Sequence, residues 1–276
     1  MTFENSTAVV TGGSGGLGRA FCEQLGAAGA RVLIADVRKE AAEETAQLVS
    51  RAGGDARVEL VDVRDPEAVE RLAIVADGWF GGRTDLLVNN AGVAVAGEVG
   101  EISLQDWKWQ VEINLMGVIY GCHSWVPRMK AQRAGHILNV GSAAGLLSAP
   151  GMGPYNVVKA GVIALSETMY AELKKANIKV SVLCPSFFKT GIMDNSRGTA
   201  DDSAHKLVGK LMQSNPVQAS DVARIALAAV AKGRLYCLPM AEIYLPWLFK
   251  RVLPGSFYGF LALDADRKKV GKLLKI

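Results

Sequence analysis

The chain has 276 residues, half of them hydrophobic and 21 % charged, so it can bury a full core and is not expected to be disordered over most of its length. Its formal net charge is +4, with Lys and Arg scattered except over the last dozen positions, and no RNA- or DNA-reading motif occurs. Nucleic acid is therefore not expected as a partner.

Cys22, Cys122, Cys184 and Cys237 form no CxxC pair, and His123, His136 and His205 are dispersed, which argues against a zinc site or a disulfide framework. Buried free thiols and structural or surface histidines are expected. The opening MTFENSTAVVTGG has no basic segment leading into an apolar one, and no run of about 18 uncharged apolar residues follows. No signal peptide and no membrane-spanning helix are expected, and the default location is cytoplasmic.

Short apolar runs at 7–10, 31–35, 57–60, 86–88, 136–140, 179–183 and 235–238 read as strands. Most are rich in Val, Ile and Leu without polar alternation, as in strands buried on both faces. Amphipathic patterns, among them 17–28, 39–51, 66–79, 104–129 and 155–175, alternate with them. That alternation predicts an α/β fold, a single doubly wound Rossmann-type domain with a seven-stranded parallel sheet. The expected boundaries are 1–239 for this domain and 240–276 for a C-terminal extension packed on the same domain or on a partner. Residues 186–216 are mixed and loop-like.

The first strand runs into TGGSGGLGRAF. Gly13, Gly15 and Gly18 fit G-x-G-x-x-G, while Thr11, Gly12, Gly16 and Gly18 fit T-G-x-x-x-G-x-G. Glycines there let the backbone approach a pyrophosphate, and the following helix points its N-terminal amides at the phosphates. A flexible strand–helix turn would share the composition. Asp36 ends the second strand, 18 positions after Gly18, where a carboxylate accepts from the adenosine ribose hydroxyls and repels a 2′-phosphate. Asp36 favours NAD over NADP, although Arg38 stands close enough in sequence to meet a phosphate.

Tyr155 and Lys159 are i and i+4 on one helical face, so an ammonium can favour the phenolate and provide an acid/base near neutral pH. Taken alone, such a pair is equally a pair of surface neighbours. Ser142 follows strand HILNV at the carboxyl edge of the sheet, where ligands bind, and precedes Tyr155 by 13 residues. Its hydroxyl suits a substrate oxygen, and equally a turn or helix cap.

In order, TGGSGGLG at 11–18, Asp62 in LVDV, NNAG at 89–92, Asn114 in EINLMG, Ser142 and YNVVK at 155–159 resemble the short-chain dehydrogenase/reductase family. The resemblance covers residues 6 to about 239. It implies that Gly12, Ser14, Gly16, Leu17 and Gly18 surround the pyrophosphate and its ribose, and that Asp36 holds the adenosine ribose. Asp62 would bind the adenine amino group with Val63 beside it. Asn89, Ala91 and Gly92 would line the cofactor and stabilise the central strand. Ser142 would orient the substrate oxygen and Tyr155 transfer the proton. Lys159 would bind the nicotinamide ribose and depress the tyrosine pKa, with Asn114 holding a water that links Lys159 to solvent. Pro185 and Thr190 fit the family's loop after the sixth strand, with Thr190 expected near the carboxamide. Ser186 replaces the usual glycine and leaves the local backbone open.

The expected activity is NAD(H)-dependent interconversion of a secondary alcohol and a ketone. An NADPH-dependent ketoreductase of acyl or polyketide-like substrates is the alternative, and a non-catalytic nucleotide-binding protein is a third. Leu146, Leu147, Met152, Phe187, Phe188, Ile192 and Met193 suggest an apolar substrate wall, hence a lipophilic alcohol or ketone. In the extension, Trp247, Leu248, Phe249, Phe257 and Phe260 accompany Lys250, Arg251, Arg267, Lys268, Lys269, Lys272 and Lys275. That mixture suits a membrane surface, a lid or a partner subunit. The resemblance also implies a homodimer or homotetramer.

Overall fold

The computed structural model describes residues 3–188, 196–199 and 215–264. Strands β1 (Thr7–Thr11), β2 (Arg31–Asp36), β3 (Asp55–Leu60), β4 (Leu86–Asn89), β6 (Gly135–Val140), β7 (Ile178–Leu183) and β9 (Tyr236–Cys237) form one sheet. Its order is β3-β2-β1-β4-β6-β7-β9, and every pairing is parallel. The seven-stranded parallel sheet expected from the apolar runs is present.

Helices cover both faces because the connections between parallel strands must cross over. They include α1 (Gly16–Ala27), α2 (Lys39–Arg51), α3 (Pro66–Phe80), α4 (Leu104–Val111), α5 (Gly117–Gln132), the short α6 (Ala143–Leu147) and α7 (Gly153–Glu172). A further helix over Ala219–Ala231 packs on α1, started by a capping box in which Gln218 and Asp221 satisfy each other's backbone amides. Val9, Val10, Leu33, Ile34, Leu87, Leu138, Val180 and Val182 are fully buried, as strands covered on both faces require. The four cysteines are free and buried. His136 is buried with Nε2 at 2.9 Å from Ser181 Oγ, and His205 lies outside the described residues.

From β1 the chain winds outward through β2 to β3, then returns to β4 on the other side of β1. The crevice at such a reversal, beyond the carboxyl ends of β1 and β4, is where ligands bind in this class of sheet. Both glycine-rich turn and NNAG segment lie there. Gly12 has φ +65°, a left-handed conformation that favours glycine, and a Cβ on Gly18 would collide with the Gly12 carbonyl oxygen. The turn is held against NNAG because Asn90 Nδ2 donates to the carbonyls of Thr11 at 2.9 Å and Gly12 at 3.1 Å.

The central strands are tied to α7 by a buried polar chain. Asn89 Nδ2 donates to Asn139 Oδ1 at 2.9 Å, Asn139 Nδ2 to Ser166 Oγ at 3.0 Å, and Ser166 Oγ to the Val162 carbonyl at 2.7 Å. Such contacts are worth most where water is excluded. They fix the helix carrying Tyr155 and Lys159 relative to the sheet.

The pattern at 104–129 is not one regular helix. A π turn, Glu112–Met116, separates α4 from α5, and Asn114 sits inside it. π turns occur frequently at functional sites. Helix Tyr244–Val252 packs on the same body, with the Trp247 ring 5.1 Å from that of Tyr236 and Lys250 Nζ donating to the Leu146 carbonyl at 2.6 Å, and helix Pro254–Asp264 rests on it, the Phe257 ring 5.9 Å from that of Phe249. Among the described residues no helix is long and apolar enough to cross a membrane.

Candidate active site

A cleft of about 1090 Å³ runs from Asp36 and Asp62 at one end to Tyr155, Trp109 and Arg197 at the other. It lies at or above the upper end of the usual range for ligand pockets, enough for a dinucleotide and a second molecule. Gly12, Ser14, Gly16, Leu17, Asp36, Asp62, Val63, Ala91 and Gly92 line it, as do Ser142, Tyr155, Lys159 and Pro185. Asn89 and Gly18 do not. Asn89 serves the buried chain described above rather than the cleft wall, and Gly18 serves the close approach of α1 to the turn. Thr190, Ile192 and Met193 lie outside the described residues.

The adenosine end is built around carboxylates. Asp36 is buried, and its Oδ2 accepts from the Ser14 amide at 3.0 Å. Its Oδ1 accepts from the Arg38 amide at 3.0 Å and lies 3.4 Å from Arg38 Nε. A carboxylate has about four acceptor positions, so capacity remains for ribose hydroxyls. Asp62 is gripped by Arg64, whose guanidinium holds its carboxyl below the ordinary value of 3.8. Ser14 Oγ is buried without a partner at the start of α1, beside the glycine turn. An orphaned hydroxyl there, with amides of a helix N-terminus and no side chain on Gly12 or Gly16, fits a pyrophosphate. The residues present therefore fit a nicotinamide dinucleotide.

At the chemical end, Ser142 ends the loop after β6 and caps α6, its Oγ accepting from the Ala144 amide at 3.1 Å. The cap and the catalytic expectation coexist, because a hydroxyl that accepts from a backbone amide still has its own proton to donate. Burial pushes the Tyr155 phenol up to about 12, and a hydrogen bond with Ser142 works against that rise. Lys159 is buried, donates from Nζ to the Val140 carbonyl at 2.7 Å and lies 5.7 Å from the Tyr155 ring centroid. Burial lowers it to about 8, so it keeps its proton at neutral pH.

That burial has a cost with a definite sign. The unfolded lysine titrates near 10.5 and the folded one near 8, so the folded state binds fewer protons between those values. Stability then rises with pH through that window, and below pH 8 the full penalty is present. Lys159→Met should therefore raise Tm by about 2–4 °C at pH 7 and by less at pH 10. The gain is partial because the Val140 carbonyl loses its donor. Thermal unfolding at the two pH values decides it; a less stable variant at pH 7 refutes the reading.

Asn114 is fully buried and grips one residue with both side-chain atoms: Oδ1 accepts from the Val93 amide at 2.9 Å and Nδ2 donates to the Val93 carbonyl at 2.8 Å. Gln110, one turn earlier, reaches the same carbonyl at 3.3 Å. Its i, i+4 spacing from Asn114 was the available sequence signal for this second clamp. Ser186 lies on the cleft wall outside the left-handed region, so serine replaces the family's glycine there without strain.

The substrate wall differs from the expected one. Leu147, Met152, Phe187 and Phe188 line the cleft, joined by Trp109, Ile113 and Ile243. Leu146 instead turns inward to the core, because consecutive residues of a helix point about 100° apart and cannot both face the cleft. Ile243 shows that the start of the extension reaches the cleft.

The model of the short chain dehydrogenase family matches residues 6–201. A C alpha-dehydrogenase from Sphingobium sp. is 38 % identical over 196 residues, 71 % of this chain; the match spans 64 % of that relative's length. A 3beta-hydroxysteroid dehydrogenase from Eggerthella lenta is 33 % identical over 234 residues, covering 84 % of this chain and 88 % of the relative. Among solved structures, a short chain dehydrogenase/reductase from Burkholderia phymatum in complex with NAD superposes with a TM-score of 0.86 at 35 % identity, covering 91 % of this chain and 94 % of that one.

Proposed function

The chain belongs to the short-chain dehydrogenase/reductase family, and on that footing we propose that it interconverts a secondary alcohol and a ketone with NAD(H) on a lipophilic substrate. The observation that carries this reading is one cleft holding Ser142, Tyr155 and Lys159 at one end and the buried carboxylate of Asp36 at the other. The named dehydrogenases among its relatives and the NAD complex of a structural neighbour support it.

Gly12, Ser14, Gly16 and Leu17 would hold the pyrophosphate, Asp36 the adenosine ribose, Asp62 and Val63 the adenine, and Ala91, Gly92 and Lys159 the nicotinamide half. The bound nicotinamide supplies the hydride acceptor or donor. In the oxidation direction, Tyr155 as phenolate takes the hydroxyl proton. Ser142, anchored by the Ala144 amide, donates to the substrate oxygen and steadies its changing charge. The Lys159 ammonium favours the phenolate. Asn114 spends its side chain on Val93, so we assign any relay water to its main chain within the π turn. The apolar wall of Trp109, Ile113, Leu147, Met152 and Phe187 excludes water and suits a lipophilic body.

The half-exposed Arg38 beside Asp36 is the observation that favours the second reading, an NADPH-dependent ketoreductase. Titration with NADH and NADPH by nicotinamide fluorescence separates the two, followed by a screen of hydrophobic secondary alcohols. Preference for NADH and turnover of such alcohols supports the first reading; preference for NADPH puts ketoreduction in its place.

We assign the exposed face of helix Tyr244–Val252 to an anionic bilayer. Leu245 and Val252 are 76 % and 66 % exposed beside the exposed Arg251, and five more basic residues follow from Arg267 to Lys275. Phosphatidylserine vesicles should sediment the protein at low salt, and Leu245→Ser with Leu248→Ser should abolish this. No sedimentation, with the same pair lowering the solution mass, would assign the face to a homodimer or homotetramer instead.

A further inference from the structure

Two short strands meet beside the substrate half of the cleft. β5 (Val95–Ala96) continues from the Val93 that Asn114 grips, and β8 (Arg197–Gly198) pairs with it in parallel. The Arg197 amide donates to the Ala94 carbonyl at 3.0 Å, and the Thr199 amide to the Ala96 carbonyl at 3.0 Å. Backbone pairing therefore places Arg197 directly alongside the segment held by Asn114.

The side chain is placed as firmly. Its guanidinium carbon stands 3.9 Å from the Trp109 ring centroid, and Nη1 lies 3.7 Å from Asp106 Oδ1. Stacking on an indole leaves the in-plane N–H donors facing outward, and 3.7 Å is too long for a strong hydrogen bond to Asp106. Arg197 and Trp109 both line the cleft, as do Ile113, Met152 and Phe187. Among the described lining residues, Arg19, Asp36, Arg38, Asp62 and Arg64 belong to the adenosine end and Lys159 to the chemistry. Arg197 is the remaining charge, in a part of the wall where the other lining residues are uncharged.

Resting on the reading of a lipophilic alcohol substrate, we propose that Arg197 receives a carboxylate carried on that substrate away from the carbinol carbon. Trp109 presents the guanidinium edge-on, and the substrate carboxylate takes over the loose partnership with Asp106. The substrate class is then an amphiphilic hydroxy acid or oxo acid. A fork of N–H donors matches a carboxylate bidentately, which an ammonium does not. Arg197 thus sets specificity and takes no part in proton transfer.

The test uses the full chain with NADH bound, following nicotinamide fluorescence, and dodecanoate, methyl dodecanoate and dodecan-1-ol as ligands. Dodecanoate should bind about tenfold or more tighter than its ester, the size expected of a charge-assisted contact. In Arg197→Gln this preference should vanish while NADH affinity and Tm stay as in the parent chain. Arg197→Lys should restore only part of it. With 11-hydroxydodecanoate and its methyl ester as substrates, the same substitution should raise KM for the acid alone and leave kcat. If ester and alcohol bind but the acid gains nothing, or if Arg197→Gln keeps the preference, the assignment of Arg197 falls and the lipophilic reading stands. If none of the three binds the NADH complex, the lipophilic reading fails and this inference with it.

Discussion

Tyr155→Phe should lower turnover by about 10²–10⁴-fold, the usual contribution of a positioned acid/base, while NADH still binds. The phenol is buried in the cleft, hydrogen-bonded with Ser142, and has the Lys159 ammonium beneath its ring. No other described residue at that end suits the role: an alkyl hydroxyl such as that of Ser142 is far too weak an acid to be released as alkoxide, and the Lys159 ammonium is engaged by the Val140 carbonyl. Burial holds the phenol near 12, so oxidation, which needs phenolate, should accelerate as pH rises towards about 10, whereas ketone reduction, which needs the phenol, should hold its rate over that range. Lys159→Met removes the charge that favours phenolate and should move the oxidation limb to higher pH. Single-turnover rates with a hydrophobic secondary alcohol across pH 6–10 check both statements. Full turnover in the phenylalanine variant would falsify the assigned role.

Asp36→Ala should raise KM for NAD by about 10–100-fold, because hydrogen bonds from the ribose hydroxyls to a charged acceptor are lost. A second effect adds to it. The Ser14 amide loses the oxygen it donates to at 3.0 Å, so the glycine turn is less firmly held. NADPH should gain at the same time: the carboxylate that repels a 2′-phosphate is gone, and Arg38, now 3.4 Å from Asp36 Oδ1, is freed to meet it. The ratio of kcat/KM for the two cofactors reports this change directly. An unchanged ratio would mean that Asp36 is not the selector and would favour the ketoreductase reading.

How far the fold was legible follows from the range of the forces involved. The strands at 7–11, 31–36 and 178–183 declare themselves because burial on both faces demands unbroken apolar runs. Gly12 and Gly18 are legible because no other side chain fits where strand, turn and helix touch. Asp36, Ser142, Tyr155 and Lys159 sit at strand ends or on one helical face, positions that sequence spacing specifies once a parallel sheet is assumed. These are local constraints, and one chain segment carries each of them.

What the folded chain alone decides involves partners far apart in sequence. Asn89 reaches Asn139, which in turn reaches Ser166, rather than the cleft, and Leu146 turns to the core while Leu147 faces the cleft. The Trp109–Arg197 stack joins residues 88 positions apart, and Lys250 binds the Leu146 carbonyl across 104 positions. Spacing cannot signal such contacts, since they depend on how helices settle on the sheet and on which carbonyl is left needing a donor. The π turn at Asn114 belongs with them. Helical periodicity runs straight through 104–129, and only the grip of Asn114 on Val93, two elements away, shows why an extra residue is accommodated there.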